Sequence, residues 1–206
     1  MKALWKDALI LTAISLVSGV SLGLVHEITA GPIATAEYNA QQEAYKAVFE
    51  DADKFEDYSD FDADEAQSVL EKADLAEDAQ IDGVEVAEDS SGKTLGYVIN
   101  VTDHNGYGGD VSFSLGIKND GTLNGISFTT LNETAGLGQK AKEPKFSSQF
   151  TDKKVSGTLE VVKTTPSSDN QIEAISGATI TSRAVTGGAN AALAYFNAVL
   201  GGGSNE

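Results

Sequence analysis

The stretch Glu173-Ala-Ile-Ser-Gly-Ala-Thr-Ile-Thr-Ser-Arg-Ala184 joins an extended apolar segment to an alanine-rich run, with the turn between them at Gly177. Beyond it, Val185, Ala189, Ala192, Leu193, Phe196 and Leu200 recur on one helical face, and Gly201-Gly202-Gly203 stops that helix. A strand-to-turn-to-helix passage near the end of the chain places a helix against whatever sheet precedes it. The start of such a helix presents backbone N–H groups without helical partners, and the helix dipole adds partial positive charge, so anions are drawn there. Ser176, Thr179, Thr181 and Ser182 set hydroxyls around Gly177 and Ala178, residues small enough to admit a phosphate close to the main chain. Ordinary capping by Thr181 or Ser182 accounts for the same residues without any ligand.

Working back toward the N-terminus, the period changes from helical to alternating. Leu159 to Val162 reads as a short strand, and Pro166 to Asn170 as the turn feeding Glu173. From Ile81 onward, Val84, Val86, Leu95, Tyr97, Ile99 and Val101 alternate, then Val111, Phe113, Leu115 and Ile117, then Leu123, Ile126 and Phe128. Asn119-Asp120-Gly121 closes a hairpin. The result is a twisted antiparallel meander. Gly106-Tyr107-Gly108-Gly109 lacks a phosphate-loop pattern and a following helix, so it reads as a plain inter-strand loop, and His104 beside it receives no role. Asn132-Glu-Thr-Ala-Gly-Leu-Gly-Gln-Lys140 leaves the sheet. Its two glycines around a leucine make a backbone able to lie flat against a planar ring, with N–H groups free for ring oxygens and nitrogens.

The N-terminal part is of another kind. Ala8 to Val25 is apolar or small throughout, and eighteen residues at ~1.5 Å each nearly cross a ~30 Å hydrocarbon core. Lys2 and Lys6 precede the run, which places the N-terminus in the cytoplasm and the rest outside. A cleaved signal peptide ending near Ala34-Thr35-Ala36 is the rival, and a retained single-span anchor is favoured by the length of the run. Gly31-Pro32 is expected to end the helix. Residues from Glu37 to Glu50 then have helical spacing, residues 51–62 read as loop, and Ala63 to Leu75 as a second helix.

Composition narrows the chemistry. The net charge of −17 is concentrated between Glu37 and Asp89, where nineteen acids face Lys46, Lys54 and Lys72. Such a chain does not hold nucleic acid. There is no cysteine, which removes disulfides, thiol catalysis and cysteine-bound iron–sulfur clusters, and the two histidines lack ligand spacing, so no metal site is expected. No residue is assigned as catalytic.

Glu173-Ala-Ile-Ser-Gly-Ala-Thr179 resembles the flavinylation motif Asp-x-x-Ser/Thr-Gly-Ala-Thr of the FMN-binding domain family, with Glu173 where the family has Asp. Glu133-Thr-Ala-Gly-Leu-Gly138 resembles the Glu-Thr-x-Gly-Leu-Gly segment of the same family, with Ala135 in the usual place of proline. The likeness covers about residues 81 to 200. With the anchor and acidic lead-in, it extends to the G subunits of Rnf complexes, membrane-bound ferredoxin:NAD oxidoreductases that couple electron flow to ion pumping. Their cousins are the C subunits of sodium-translocating NADH:quinone reductases.

The resemblance implies FMN joined covalently to Thr179 through a phosphoester, placed there by a flavin transferase that takes FMN from FAD. It implies that Ser176, Gly177, Ala178 and Thr181 surround the phosphate and that Glu133, Thr134, Gly136, Leu137 and Gly138 border the flavin. Lys140 or Lys142 would tune its potential. The implied partners are the other membrane subunits of an Rnf complex, and the implied role is electron relay rather than stand-alone turnover. A C-type quinone-reductase component, an anchored binding module without redox function, and a lone flavin reductase stay open as alternatives. The expected architecture is α+β: an anchor helix over residues 1–30, an acidic helical lead-in over 31–80, an antiparallel-sheet FMN-binding domain with a C-terminal helix over 81–200, and a tail over 201–206.

Overall fold

The computed structural model describes residues 2–201. The chain divides between Gln41 and Gln42 into two compact units, and the first helix, α1 (Lys2–Val48), contributes to both. The expected tail beyond Gly201 lies outside the described residues.

Within the first unit α1 exposes Leu9, Leu11, Ile14, Leu16, Val17, Val20, Leu22 and Leu24 on all sides. A helix that is apolar all round needs an apolar surrounding. It is long and apolar enough to cross a membrane. The expected stop at Gly31-Pro32 is not observed, since Pro32 lies inside α1. Proline removes one main-chain donor and its ring normally crowds the Cβ of the preceding residue, but Gly31 has no Cβ to crowd. Membrane helices tolerate the loss.

The second unit is built on a six-stranded antiparallel meander in the order β1 to β6: β1 (Lys54–Asp57), β2 (Ala79–Glu88), β3 (Thr94–Asp103), β4 (Val111–Lys118), β5 (Thr122–Leu131) and β6 (Lys153–Lys154). Alternation decides its faces. Val84, Ile99, Val101, Phe113, Leu115, Ile117 and Leu123 form the main core with α2 (Ala63–Lys72) and, beyond the short α3 (Pro144–Ser147), α4 (Thr179–Tyr195), which supplies Val185, Ala189, Ala192 and Leu193. Asp62 caps α2, its carboxylate accepting from the Asp64 and Glu65 N–H groups. After α4 a π-turn over Phe196–Leu200 completes the regular structure of the described residues.

The opposite sheet face receives the last turn of α1. Tyr45, Val48 and Phe49 pack there with Ala87 and Val98. Glycines make the room: a Cβ on Gly116 would meet Val48 O at 2.9 Å and Phe49 Cε2 at 3.1 Å, and one on Gly96 would meet Phe49 Cζ at 2.8 Å. Asn124 Nδ2 donates to Val48 O, tying the helix end to β5.

The acidic lead-in is therefore no separate layer. Residues 51–62, expected as loop, contain β1, which pairs with β2 from Lys54↔Glu88 to Asp57↔Glu85. Only Phe55 of that strand is half-buried, so no alternation betrays it; charged, short strands are how sheets end safely. The remaining two strands, β7 (Glu160–Val162) and β8 (Gln171–Glu173), pair in parallel beside the N-terminus of α4.

Candidate functional site

The C-terminal end of β8 delivers the chain to α4 through a tight turn. Gly177 has φ of +81°, a left-handed conformation that costs a side-chain-bearing residue, and Ala178 N–H donates to Ile175 O across it. The helix begins at Thr179 with Ala178 as its cap, and no side chain caps it. Capping by Thr181 or Ser182 is thus not what these residues do. Both lie inside the first turn and a half and are buried; Ser182 Oγ accepts from Ile175 N–H and donates to Ala178 O, locking the turn to the helix. The first N–H groups of a 17-residue helix are left for solvent or an anion.

The loop after β5 closes on itself. Leu137 N–H donates to Thr134 O at 3.1 Å, with Gly136 at φ +76° between them. That N–H, expected to be free for a ligand, is taken. Glu133 is 8% exposed and its Oε1 accepts from Tyr107 N–H at 2.8 Å, so the carboxylate joins this loop to the β3–β4 loop. A Cβ on Gly138 would sit 2.6 Å from Thr181 Oγ1 and 2.7 Å from Glu133 Oε2, so the absence of a side chain there lets the loop lie directly on α4. A Cβ on Gly177 would reach 3.1 Å from Leu137 Cδ2.

These contacts bring two distant stretches into one open cleft of about 510 Å3, within the range of small-molecule sites. Glu133, Thr134, Leu137, Gly138, Gly177, Ala178, Thr179 and Thr181 line it, with Tyr107 and Ile180 added. Gly136 is not among the lining residues. Ser176 is not either; it lines a neighbouring hollow of about 170 Å3 with Lys140, Lys145 and Glu173. Glu173 itself is held by main-chain bonds to Gln149, whose Oε1 accepts its N–H at 2.7 Å.

Sequence reasoning misses Tyr107 because a glycine-flanked loop carries no periodic signal, and Ile180 because it reads as an ordinary helix residue. Tyr107, Leu137 and Ile180 are 70%, 42% and 50% exposed, and they are the only large hydrophobic side chains so exposed among the described residues of the second unit. All three line the cleft, which marks it as a place for an apolar ligand surface. Glu133 is the one charged side chain lining it, so what it offers a phosphate is the start of α4 rather than a cation.

A family model of the FMN-binding domain matches residues 106–194, which include every residue lining the cleft. The chain is 35% identical over 196 residues to the G subunit of the Na(+)-translocating ferredoxin:NAD(+) oxidoreductase complex of Acetobacterium woodii, spanning 95% of this chain and 92% of the relative. It is 32% identical over 192 residues to the G subunit of the proton-translocating ferredoxin:NAD(+) oxidoreductase complex of Clostridium ljungdahlii, spanning 93% and 91%. To the C subunit of the Na(+)-translocating NADH-quinone reductase of Chlamydia pneumoniae it is 33% identical over 155 residues, spanning 64% of this chain and 47% of that one.

Proposed function

The chain belongs to the family of the G subunits of ion-translocating ferredoxin:NAD(+) oxidoreductase complexes, and from that premise we propose that it carries FMN on Thr179 and relays electrons within such a complex. The end-to-end span of these relatives, against the half-length match to a quinone-reductase C subunit, favours this over the C-type alternative.

The residues present fit the group. The uncapped start of α4 suits the phosphate, the exposed Leu137, Ile180 and Tyr107 suit the flat apolar ring, and Gly138 and Gly177 let the loop and the helix start lie close together. Thr179 is half-buried, on the cleft, at the first helical position. Its hydroxyl oxygen would attack the FMN phosphorus of FAD on the transferase. The new O–P bond forms as the pyrophosphate P–O bond breaks, AMP leaves, and the hydroxyl proton passes to a base on the transferase. Bound flavin supplies one- and two-electron redox chemistry; the protein supplies the tether, the apolar bed and the anion-binding helix start. The single observation that carries the reading is that the Glu133–Gly138 loop and the Gly177–Thr181 turn line one cleft.

α1 would anchor the protein as a single span, with Lys2 and Lys6 keeping the N-terminus cytoplasmic and the cleft-bearing unit extracytoplasmic. The sister membrane proteins of the complex would be its electron partners. The test is intact mass after co-expression with a flavin transferase. Wild type should gain the mass of FMN less water and give a fluorescent band on a denaturing gel, and Thr179→Ala should do neither. A wild-type chain weighing only its amino acids overturns the proposal.

A further inference from the structure

We infer that the ring of Tyr107 covers one face of the flavin, which makes the β3–β4 loop a third wall of the cofactor site; this rests on the flavin reading above. Tyr107 is the only aromatic residue lining the cleft, and hence the only side chain there able to stack on a planar ring. The residue is 70% exposed, which packing within the domain does not explain.

Its main chain, by contrast, is fixed. Tyr107 N–H is held by the buried Glu133 carboxylate, and the glycines on either side have no room for a side chain. A Cβ on Gly106 would meet Gly109 O at 2.2 Å, and one on Gly108 would meet Asn132 O at 2.1 Å. The ring therefore swings on its own two side-chain torsions while the loop stays in place. Covering a ligand then costs two rotors and no loop ordering. Leu137 stands on the loop after β5 with its Cδ2 close to Gly177, Ile180 stands on α4, and Tyr107 stands on the β3–β4 loop, held by Glu133. A planar cofactor in the cleft would meet the aliphatic groups of Leu137 and Ile180 and the aromatic face of Tyr107.

The test uses full-length protein in detergent, co-expressed with the transferase, with flavin content read by intact mass. Wild type, Tyr107→Phe and Tyr107→Ala are compared by flavin emission and by iodide quenching. Tyr107→Ala should raise the iodide quenching constant about three- to tenfold, the range to which an aromatic stacking preference converts. Tyr107→Phe should keep the wild-type quenching constant yet brighten emission, because phenylalanine stacks but does not donate an electron to an excited flavin as a phenol does. Fully flavinylated Tyr107→Ala with unchanged quenching and emission overturns this inference alone. A wild-type chain without flavin mass removes the premise and this inference with it.

Discussion

Replacing Gly138 by alanine tests whether the cleft is built by direct contact between the β5-exit loop and α4. Gly138 is not among the glycines with positive φ, so its backbone accepts any residue. In open space the change would stabilise the protein by about 0.4–1 kcal/mol through the unfolded chain. Here the new methyl would lie 2.6 Å from Thr181 Oγ1, 2.7 Å from Glu133 Cβ and 2.7 Å from Glu133 Oε2. Thr181 is 1% exposed and Glu133 8%, so neither can swing aside into solvent. Overpacking of this kind costs about 1–3 kcal/mol, leaving a net loss of about 1–2 kcal/mol. In a domain of this size that lowers the melting temperature by about 2–8 °C. The contact also identifies itself by coupling, since Thr181→Ala removes one of the crowded atoms. The double variant should therefore recover about 0.5 kcal/mol or more relative to additivity. Gly136→Ala is the control: its φ of +76° brings a conformational cost, but its Cβ meets nothing within 4 Å, so with Thr181→Ala it should be additive. Thermal melts followed by near-UV circular dichroism compare the single and double variants with wild type. Gly138→Ala as stable as wild type, or additive with Thr181→Ala, refutes the proposed apposition.

Two further outcomes follow from other parts of the domain. Burial raises the Asp103 carboxyl to about 6, against the N–H bond from Asn105, and burial raises Glu85 to about 7, against the hydroxyl of Tyr45. A folded-state pKa above the unfolded value of about 4 means the folded protein holds more protons in that interval, so each group's contribution falls as pH rises. Asp103→Asn should flatten the stability profile between about pH 4 and 6, and Glu85→Gln between about pH 4.5 and 7, each judged against wild type in urea melts; unchanged slopes would contradict the burial argument. Gly116→Ala should expel the end of α1 from the sheet, because the added Cβ meets Val48 O at 2.9 Å. Hydrogen exchange over residues 42–49 should then speed up at least about fivefold, the equivalent of about 1 kcal/mol, while the α4 core keeps its protection.

The sheet was legible because burial on one face writes period two into Tyr97–Val101 and Val111–Ile117, and α4 because its apolar face repeats at helical spacing. β1 was not, since an edge strand with one half-buried residue has nothing to alternate. The continuation of α1 through Pro32 was hidden because the proline signal is local, whereas Gly31 before it lifts the usual restriction. At the site, the motif residues were found by likeness to a family, and eight of them line the cleft. What no motif conveys is direction. Ser176 and Thr179 stand three positions apart with the left-handed Gly177 between them, and they line different hollows. The strut from Glu133 to Tyr107 was equally silent, for it depends on two loops meeting in space.

An open cleft with three exposed apolar side chains is a poor container for a soluble cofactor, and the proposed tether answers that difficulty. A group bound by contacts alone must offset the loss of its translational and rotational freedom, which costs several kcal/mol. A ligand joined by a short linker instead sees the cleft at an effective concentration on the order of mM. Contacts worth only a dissociation constant of about 0.1 mM then keep the ring seated about nine-tenths of the time. Enclosure is no longer needed for retention, so the cleft can stay open on the side where electrons must arrive and leave. The same reasoning favours the proposed attachment at the start of α4 over one on the Leu137 loop. Thr179 is fixed by a helix whose face is buried against β3 and β4, and the phosphate it would carry lies beside the uncapped N–H groups. A tether on the more exposed loop would hold the flavin without holding its position, and a relay depends on the distance to the next carrier.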